Sequence, residues 1–272
     1  MNVHAFRDKL VTTLSACPAI KGVGQTGDLN APLIPGKSDI DLFVLCDAVP
    51  AQDERRALYQ ALADDTESLR MQVCDCRDWG VGDVLVCGGV EIMPMYFTTQ
   101  HMQRDLDELL SGGRIEKEGG FYPIGRLATI ETMNVLCETD RAWSRLIDRV
   151  RQHPRPLFRA WYASQAGCML DDEDLGRCQL RREVLFTHQV VEGFLDHFLQ
   201  ALYAVNDCYF PSRKRTERAI EGFARKPTDC YARLLSLVSL AANEATIDDA
   251  VQEIRALASE LTALGAQVFQ EP

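Results

Sequence analysis

Ser38-Asp39-Ile40-Asp41-Leu42-Phe43-Val44-Leu45 is the stretch that decides how this chain reads, because it puts two carboxylates on one face of a strand. Successive side chains of an extended segment point to opposite faces, so Asp39 and Asp41 share one face. Ile40, Leu42 and Val44 share the other and point into a core. Neighbouring carboxylates repel, and keeping both ionised calls for something positive between them. A divalent cation meets that need, and Mg2+ takes oxygen ligands of this kind. Just upstream, Gly22-Val23-Gly24-Gln25-Thr26-Gly27-Asp28 is a glycine-dense turn whose backbone N–H groups can approach a phosphate. A phosphate loop followed by a metal-binding Asp-x-Asp strand points to phosphoryl or nucleotidyl transfer.

Composition narrows the classes. At 272 residues and 46% hydrophobic content the chain suits one large domain or two modest ones. It has no run of about 18 apolar residues, so no membrane span is expected. Its first residues, Met1-Asn2-Val3-His4-Ala5-Phe6-Arg7-Asp8, lack the basic-then-apolar layout of a signal peptide, and a cytoplasmic location is expected. Ten cysteines without a C-x-x-C spacing read mostly as small buried hydrophobes. The net charge of −11 argues against a protein that grips nucleic acid through its phosphates. Residues 1–110 hold 9 Lys/Arg against 17 Asp/Glu, so the half with the acidic pair is the more acidic one. That suits metal binding and a cationic acceptor, although acidic excess also serves simple solubility.

Val3, Phe6, Leu10 and Leu14 recur at helical spacing and predict an amphipathic helix over 2–15, ended by Pro18. A short strand over 19–24, a loop over 25–37, the 39–46 strand and a helix near 51–64 follow. Residues 68–76 and 82–87 look extended, and Gly88-Gly89 signals a hairpin into a strand over 90–97. From residue 99 onward strand signals vanish. Phe186, Val190, Phe194, Phe198 and Leu202 predict one long buried helix over 178–206. Helices are also predicted near 123–137, 141–151, 155–169, 212–224, 228–240 and 246–264. The expected fold class is α+β, a small mixed-sheet domain over 1–112 followed by an all-helical domain over 113–272, with the seam at Ser111-Gly112-Gly113 and the loop through Gly119-Gly120.

A two-metal site needs a third acid. Glu91 is the first candidate, a lone carboxylate opening an apolar strand after the glycine hairpin. Asp83 is second and Asp75 third.

A glycine-rich turn, a spacer, Ser38-Asp39-Ile40-Asp41-Leu42 and a later strand with one more acid together resemble the polymerase-β-type nucleotidyltransferase superfamily, over roughly residues 1–110. That family's usual signature opens with a Gly-Ser pair. Here Gly24-Gln25 or Thr26-Gly27 stands in its place, with Gly22-Val23 a further option. The helical remainder looks like the tails of bacterial aminoglycoside and lincosamide nucleotidyltransferases and of uncharacterised relatives. In the latter an Asn, an aromatic-Pro pair and a basic residue close a long helix, as Asn206, Tyr209-Phe210-Pro211 and Lys214 do here.

The resemblance implies that Asp39, Asp41 and Glu91 are catalytic and hold two Mg2+ ions, with a nucleotide triphosphate such as ATP as substrate. Glu91 would also take the acceptor's hydroxyl proton or leave that to the metal. Gly24, Gln25, Thr26, Gly27 and Ser38 would bind the nucleotide, and Lys214, with Arg213 or Arg215 beside it, would reach the triphosphate. The implied activity moves a nucleoside monophosphate to a hydroxyl of a small-molecule acceptor and releases pyrophosphate. Two alternatives stand beside it: a protein-nucleotidylating enzyme, and a degenerate nucleotide-binding regulatory module. The plain readings are an exposed strand-start residue for Glu91, a mere turn for Gly88-Gly89, and a solvated helix start around Lys214.

Overall fold

A computed structural model describes residues 2–269. The chain forms two compact units, Met1–Leu110 with Thr129–Gln152, and Ser111–Ala128 with His153–Pro272. The expected single cut at 112 therefore differs from the observed division, because Thr129–Gln152 clusters with the first unit. No helix among the described residues is long and apolar enough to cross a membrane.

The first unit is built on a six-stranded mixed sheet. Its strands are β1 (Ile20–Gln25), β2 (Asp39–Cys46), β3 (Ser68–Cys76), β4 (Gly80–Cys87), β5 (Val90–Thr98) and β6 (Asn134–Glu138), in the order β3-β4-β5-β2-β1-β6. β2 and β5 pair in parallel, and all other neighbours are antiparallel. Its helices are α1 (Val3–Ser15), α2 (Gln52–Gln60), α3 (Thr99–Leu110) and α5 (Ala142–Val150). α4 (Ile124–Glu131) straddles the division between units.

α1 forms where the sequence predicts it, with Asn2 Oδ1 accepting the His4 N–H at 3.0 Å as its N-cap. Its apolar stripe, Phe6, Leu10, Val11 and Leu14, packs with Val23, Ile40, Leu42, Val44, Leu85 and Ile92 in the main core. Fully burying each large apolar side chain is worth about 1.5–3 kcal/mol, which is what holds α1 to the sheet. On the opposite face Phe43 stacks on Phe97 at 5.9 Å and meets the edge of the Trp143 ring at 6.5 Å. β2 is therefore apolar on both faces from Leu42 to Cys46, as a central strand is. At its N-terminal end alternation returns: Asp39 is exposed and Asp41 half-buried, while Ile40 stays in the core.

Two expectations fail here. The helix expected over 123–137 stops at Glu131, and Asn134–Glu138 turns into the edge strand β6. α3 was not foreseen at all.

The second unit holds α6 (Arg155–Cys168), α7 (Asp172–Arg181), α8 (Val184–Val205), α9 (Thr216–Gly222), α10 (Cys230–Leu240) and α11 (Ile247–Phe269). The expected long helix over 178–206 is split. Arg182 adopts a left-handed φ of 54°, its N–H closes α7 on the Cys178 carbonyl, and α8 starts afresh at Val184. The Arg182 guanidinium pairs with Asp248 and donates to the Glu244 carbonyl at 3.0 Å, holding the break in place.

Candidate active site

The parallel register of β2 and β5 pairs Asp39 with Glu91, Ile40 with Ile92 and Asp41 with Met93. Ile40 and Ile92 are both in the main core, so Asp39, Asp41 and Glu91 all stand on the other face of the sheet. Glu91 is the direct neighbour of Asp39, and the position beside Asp41 is the thioether of Met93. The Glu91 carboxylate is turned toward β3, where it forms an ion pair with Arg70. Among the described residues no three His, Cys, Asp or Glu side chains converge closely enough to cage a metal ion.

The other two acids considered for the third position serve elsewhere. Asp83 lies on the core face, two residues from Leu85, and is 0% exposed. Arg55 binds it in a bidentate clasp at 2.7 and 3.1 Å, Tyr59 Oη donates at 2.9 Å and the Gln72 N–H at 2.7 Å. Tyr59 Oη also meets Tyr96 Oη at 2.6 Å. Burial pushes both phenols well above their ordinary range, with the Asp83 charge adding to the effect. Asp83 is thus a fully satisfied ionic anchor that ties α2 and the β3 bulge at Gln72 to the sheet. Asp75 accepts from Gln72 Nε2 at 3.0 Å, in the half of β3 beyond that bulge.

The glycine stretch divides into strand and turn. Gly22 and Gly24 lie within β1 and pair with Leu45 and Phe43. A Cβ on Gly22 would come within 2.8 Å of Trp143 Cδ1, and one on Gly24 within 2.2 Å of Met133 Sδ. Both glycines are therefore explained by close packing on that face. Gln25 points to the opposite face, where its Oε1 accepts from Arg7 Nη1 at 3.3 Å. The turn proper begins at Thr26, whose N–H donates to the Asp41 carbonyl at 3.4 Å. Gly27 sits at φ +78° with open space around its Cα, a conformation glycine adopts without strain. Asn134 Nδ2 holds this turn from β6 by donating to the Gly27 carbonyl at 2.8 Å and the Gln25 carbonyl at 3.4 Å.

Ser38 closes the loop that delivers β2. Its Oγ accepts the Ile34 N–H at 2.9 Å, and its own N–H returns to the Ile34 carbonyl at 2.9 Å. A hydroxyl that accepts one bond still has its proton to donate.

In the second unit Asn206 caps α8 and bridges to Arg225: Nδ2 donates to the Leu202 and Arg225 carbonyls, and Oδ1 accepts the Arg225 N–H at 3.1 Å. Tyr209 stacks on Phe158 at 5.1 Å, and Phe210 packs edge-on against Tyr122 and Tyr203, each at 5.0 Å. Arg213 is held by Asp196 and Glu192. Asp196 also takes the Lys117 ammonium at 3.0 Å and the Tyr122 hydroxyl. Burial alone would raise the Asp196 pKa, but these donors outweigh it and hold the carboxyl below its usual range. Lys214 itself is exposed.

Sequence reasoning missed Met133, Asn134, Trp143 and Arg70. Arg70 had a visible signal, a basic residue in an alternating strand at the parity opposite to Leu69 and Met71. Asn134 and Met133 had none, since the helical pattern around residue 130 ran through them.

No protein-family model matches the chain, and no curated protein shows significant similarity to it. Among solved structures it is similar to a nucleotidyltransferase-like protein from Exiguobacterium sibiricum 255-15, with 11% identity and a TM-score of 0.50. That alignment covers 98% of this chain and 78% of the other. At such an identity the likeness speaks for the fold alone, and the fold of this chain is nucleotidyltransferase-like.

Proposed function

We propose that the protein is a cytoplasmic, Mg2+-dependent nucleotidyltransferase. It moves a nucleoside monophosphate from a nucleotide triphosphate such as ATP to a hydroxyl of a small-molecule acceptor and releases pyrophosphate. The observation that carries this is the shared face of Asp39, Asp41 and Glu91 at the end of the parallel β2–β5 pair, beside the Thr26–Gly27 turn.

The donor set fits the ion. Mg2+ is commonly bound through one or two carboxylates, with water and substrate phosphates completing its shell, so it needs no all-protein cage. Asp39 and Asp41 supply those oxygens, and Glu91 is one register step away. When bound, Mg2+ neutralises phosphate charge and lowers the pKa of an attacking hydroxyl.

The chain's own residues do the rest. The Gly27 backbone and the Thr26 and Ser38 hydroxyls meet the phosphates, while Gly24 and Gln25 contribute only the backbone that shapes the turn. The acceptor oxygen bonds to the α-phosphorus, the bond to the β-bridging oxygen breaks, and pyrophosphate leaves with that electron pair. Glu91 accepts the acceptor's proton. The acidic excess of residues 1–110 favours a cationic acceptor such as an aminosugar.

A nucleotide-binding module without turnover is the competing reading. It is favoured by the filling of the strand glycines by Met133 and Trp143, which leaves a short phosphate turn. Pyrophosphate release from ATP, GTP, CTP and UTP with Mg2+ and an acceptor panel separates the two. Acceptor-dependent release by the parent, lost in Asp41→Asn, is expected. Nucleotide binding without release on any acceptor supports the module instead.

A further inference from the structure

Arg70 is the one cation among the described residues at the register positions of the acidic face. It pairs with Val84 on β4, whereas Glu91 pairs with Val86, so its side chain spans the whole width of β4 to reach β5. Neighbouring strands lie about 4.8 Å apart, so β3 and β5 are about 9.6 Å apart, a gap closed by an arginine and a glutamate that reach toward each other over β4. Both partners of the ion pair are open to solvent, with side-chain exposures of 54% for Arg70 and 55% for Glu91. An ion pair this exposed is weak and readily exchanged. By contrast, the Arg55–Asp83 pair on the other face is sealed from water and bonded on every side.

We infer that Arg70 is an exchangeable counter-ion of the site, pairing first with Glu91 and then with the phosphates of the substrate. This rests on the nucleotidyltransferase reading above. Arg70 neutralises Glu91 and keeps the carboxylate turned toward β3, away from Asp39 and Asp41. When a metal-bound polyphosphate arrives, the guanidinium exchanges Glu91 for phosphate oxygens, which it binds in the same forked geometry. Glu91 is thereby released toward its register neighbour Asp39. The exchange conserves charge pairing at each step, since neither the carboxylate nor the guanidinium is left alone. It also accounts for the absence of a converged three-acid cage among the described residues.

The inference makes two affinities move in opposite directions. Mn2+ serves as a spectroscopic stand-in for Mg2+, and inorganic tripolyphosphate as a base-free polyphosphate. Arg70→Gln removes the competitor for Glu91, so Mn2+ alone is expected to bind about threefold to tenfold tighter. It also removes a phosphate partner, so Mn2+ with tripolyphosphate is expected to bind about tenfold weaker. Arg70→Lys should restore most of the first effect and only part of the second, because a point charge lacks the fork. Circular dichroism of each variant should match the parent. If both affinities are unchanged, or both fall together, the exchange is overturned while the site stands. If the parent binds neither ligand, or Asp41→Asn binds both as the parent does, the nucleotidyltransferase reading falls and the exchange with it.

Discussion

Asp39, Asp41, Glu91 and Asp83 are four carboxylates on three neighbouring strands, and the fold gives them two fates. Parity separates them: the first three stand on the solvent-accessible end of one face, while Asp83 faces the main core and is matched to Arg55 and Tyr59. A buried carboxylate is tolerable only when its lone pairs are filled, and four donors fill those of Asp83. Asp83→Asn would leave the Arg55 guanidinium, 3% exposed, without its counter-charge. Breaking such a pair from one side costs about 3–5 kcal/mol. Urea unfolding should show the free energy of unfolding falling by that amount, with a lower midpoint and an unchanged slope. A loss below about 1 kcal/mol would mean that water or another group takes over the charge.

At the scale of elements, α8 is held to the segments around residues 117–122 and 211–215 through one carboxylate. Asp196 collects Lys117, Tyr122 and Arg213, and Arg213 extends to Glu192 one turn earlier. Its pKa is depressed in the folded state, so the stabilisation is present above the unfolded value of about 4. It is lost as pH falls through the lower folded value. Thermal melts of parent and Asp196→Asn should therefore differ most from about pH 5 upward, by about 1–3 kcal/mol, and draw together as pH falls from about 4 toward the lower folded value. A constant difference down to pH 3 would show that the carboxyl stays neutral or that shape, not charge, binds the segments. The split between α7 and α8 belongs to the same scale. The apolar repeat runs on to residue 202, but a left-handed Arg182 and its ties to Glu244 and Asp248 interrupt the backbone.

At the scale of the molecule, the chain leaves its first unit after Leu110 and returns to it at Thr129. β6 and α5 belong to that return. They pair the outer edge of β1 and bring Trp143 against Gly22 and Phe43. A fragment ending at residue 112 would lose both, exposing an unpaired strand edge and an apolar face. It should unfold over a broad urea range and bind a hydrophobic dye, whereas the full chain should not. A sharp transition in the fragment would show that Thr129–Gln152 is dispensable to the sheet.

Residues near in sequence carried the most legible part of this protein. Alternation along Asp39–Val44 and helical spacing along Val3–Leu14 are properties of local geometry, and strands and helices impose their periods on any chain that adopts them. For that reason the strand with the acidic pair, its parity, the α+β class and most helix positions followed from the sequence alone. The register of β2 against β5 did not follow, and it alone sets Glu91 beside Asp39. Nor did the ion pair that turns Glu91 to Arg70, since the two are 21 residues apart and meet only across β4. The close packing over Gly22 and Gly24 depends on Trp143 and Met133, which arrive from the far side of a chain excursion. Sheet pairing and core packing join residues distant along the chain, and their energies depend on which partners meet. Tertiary structure alone decided those meetings.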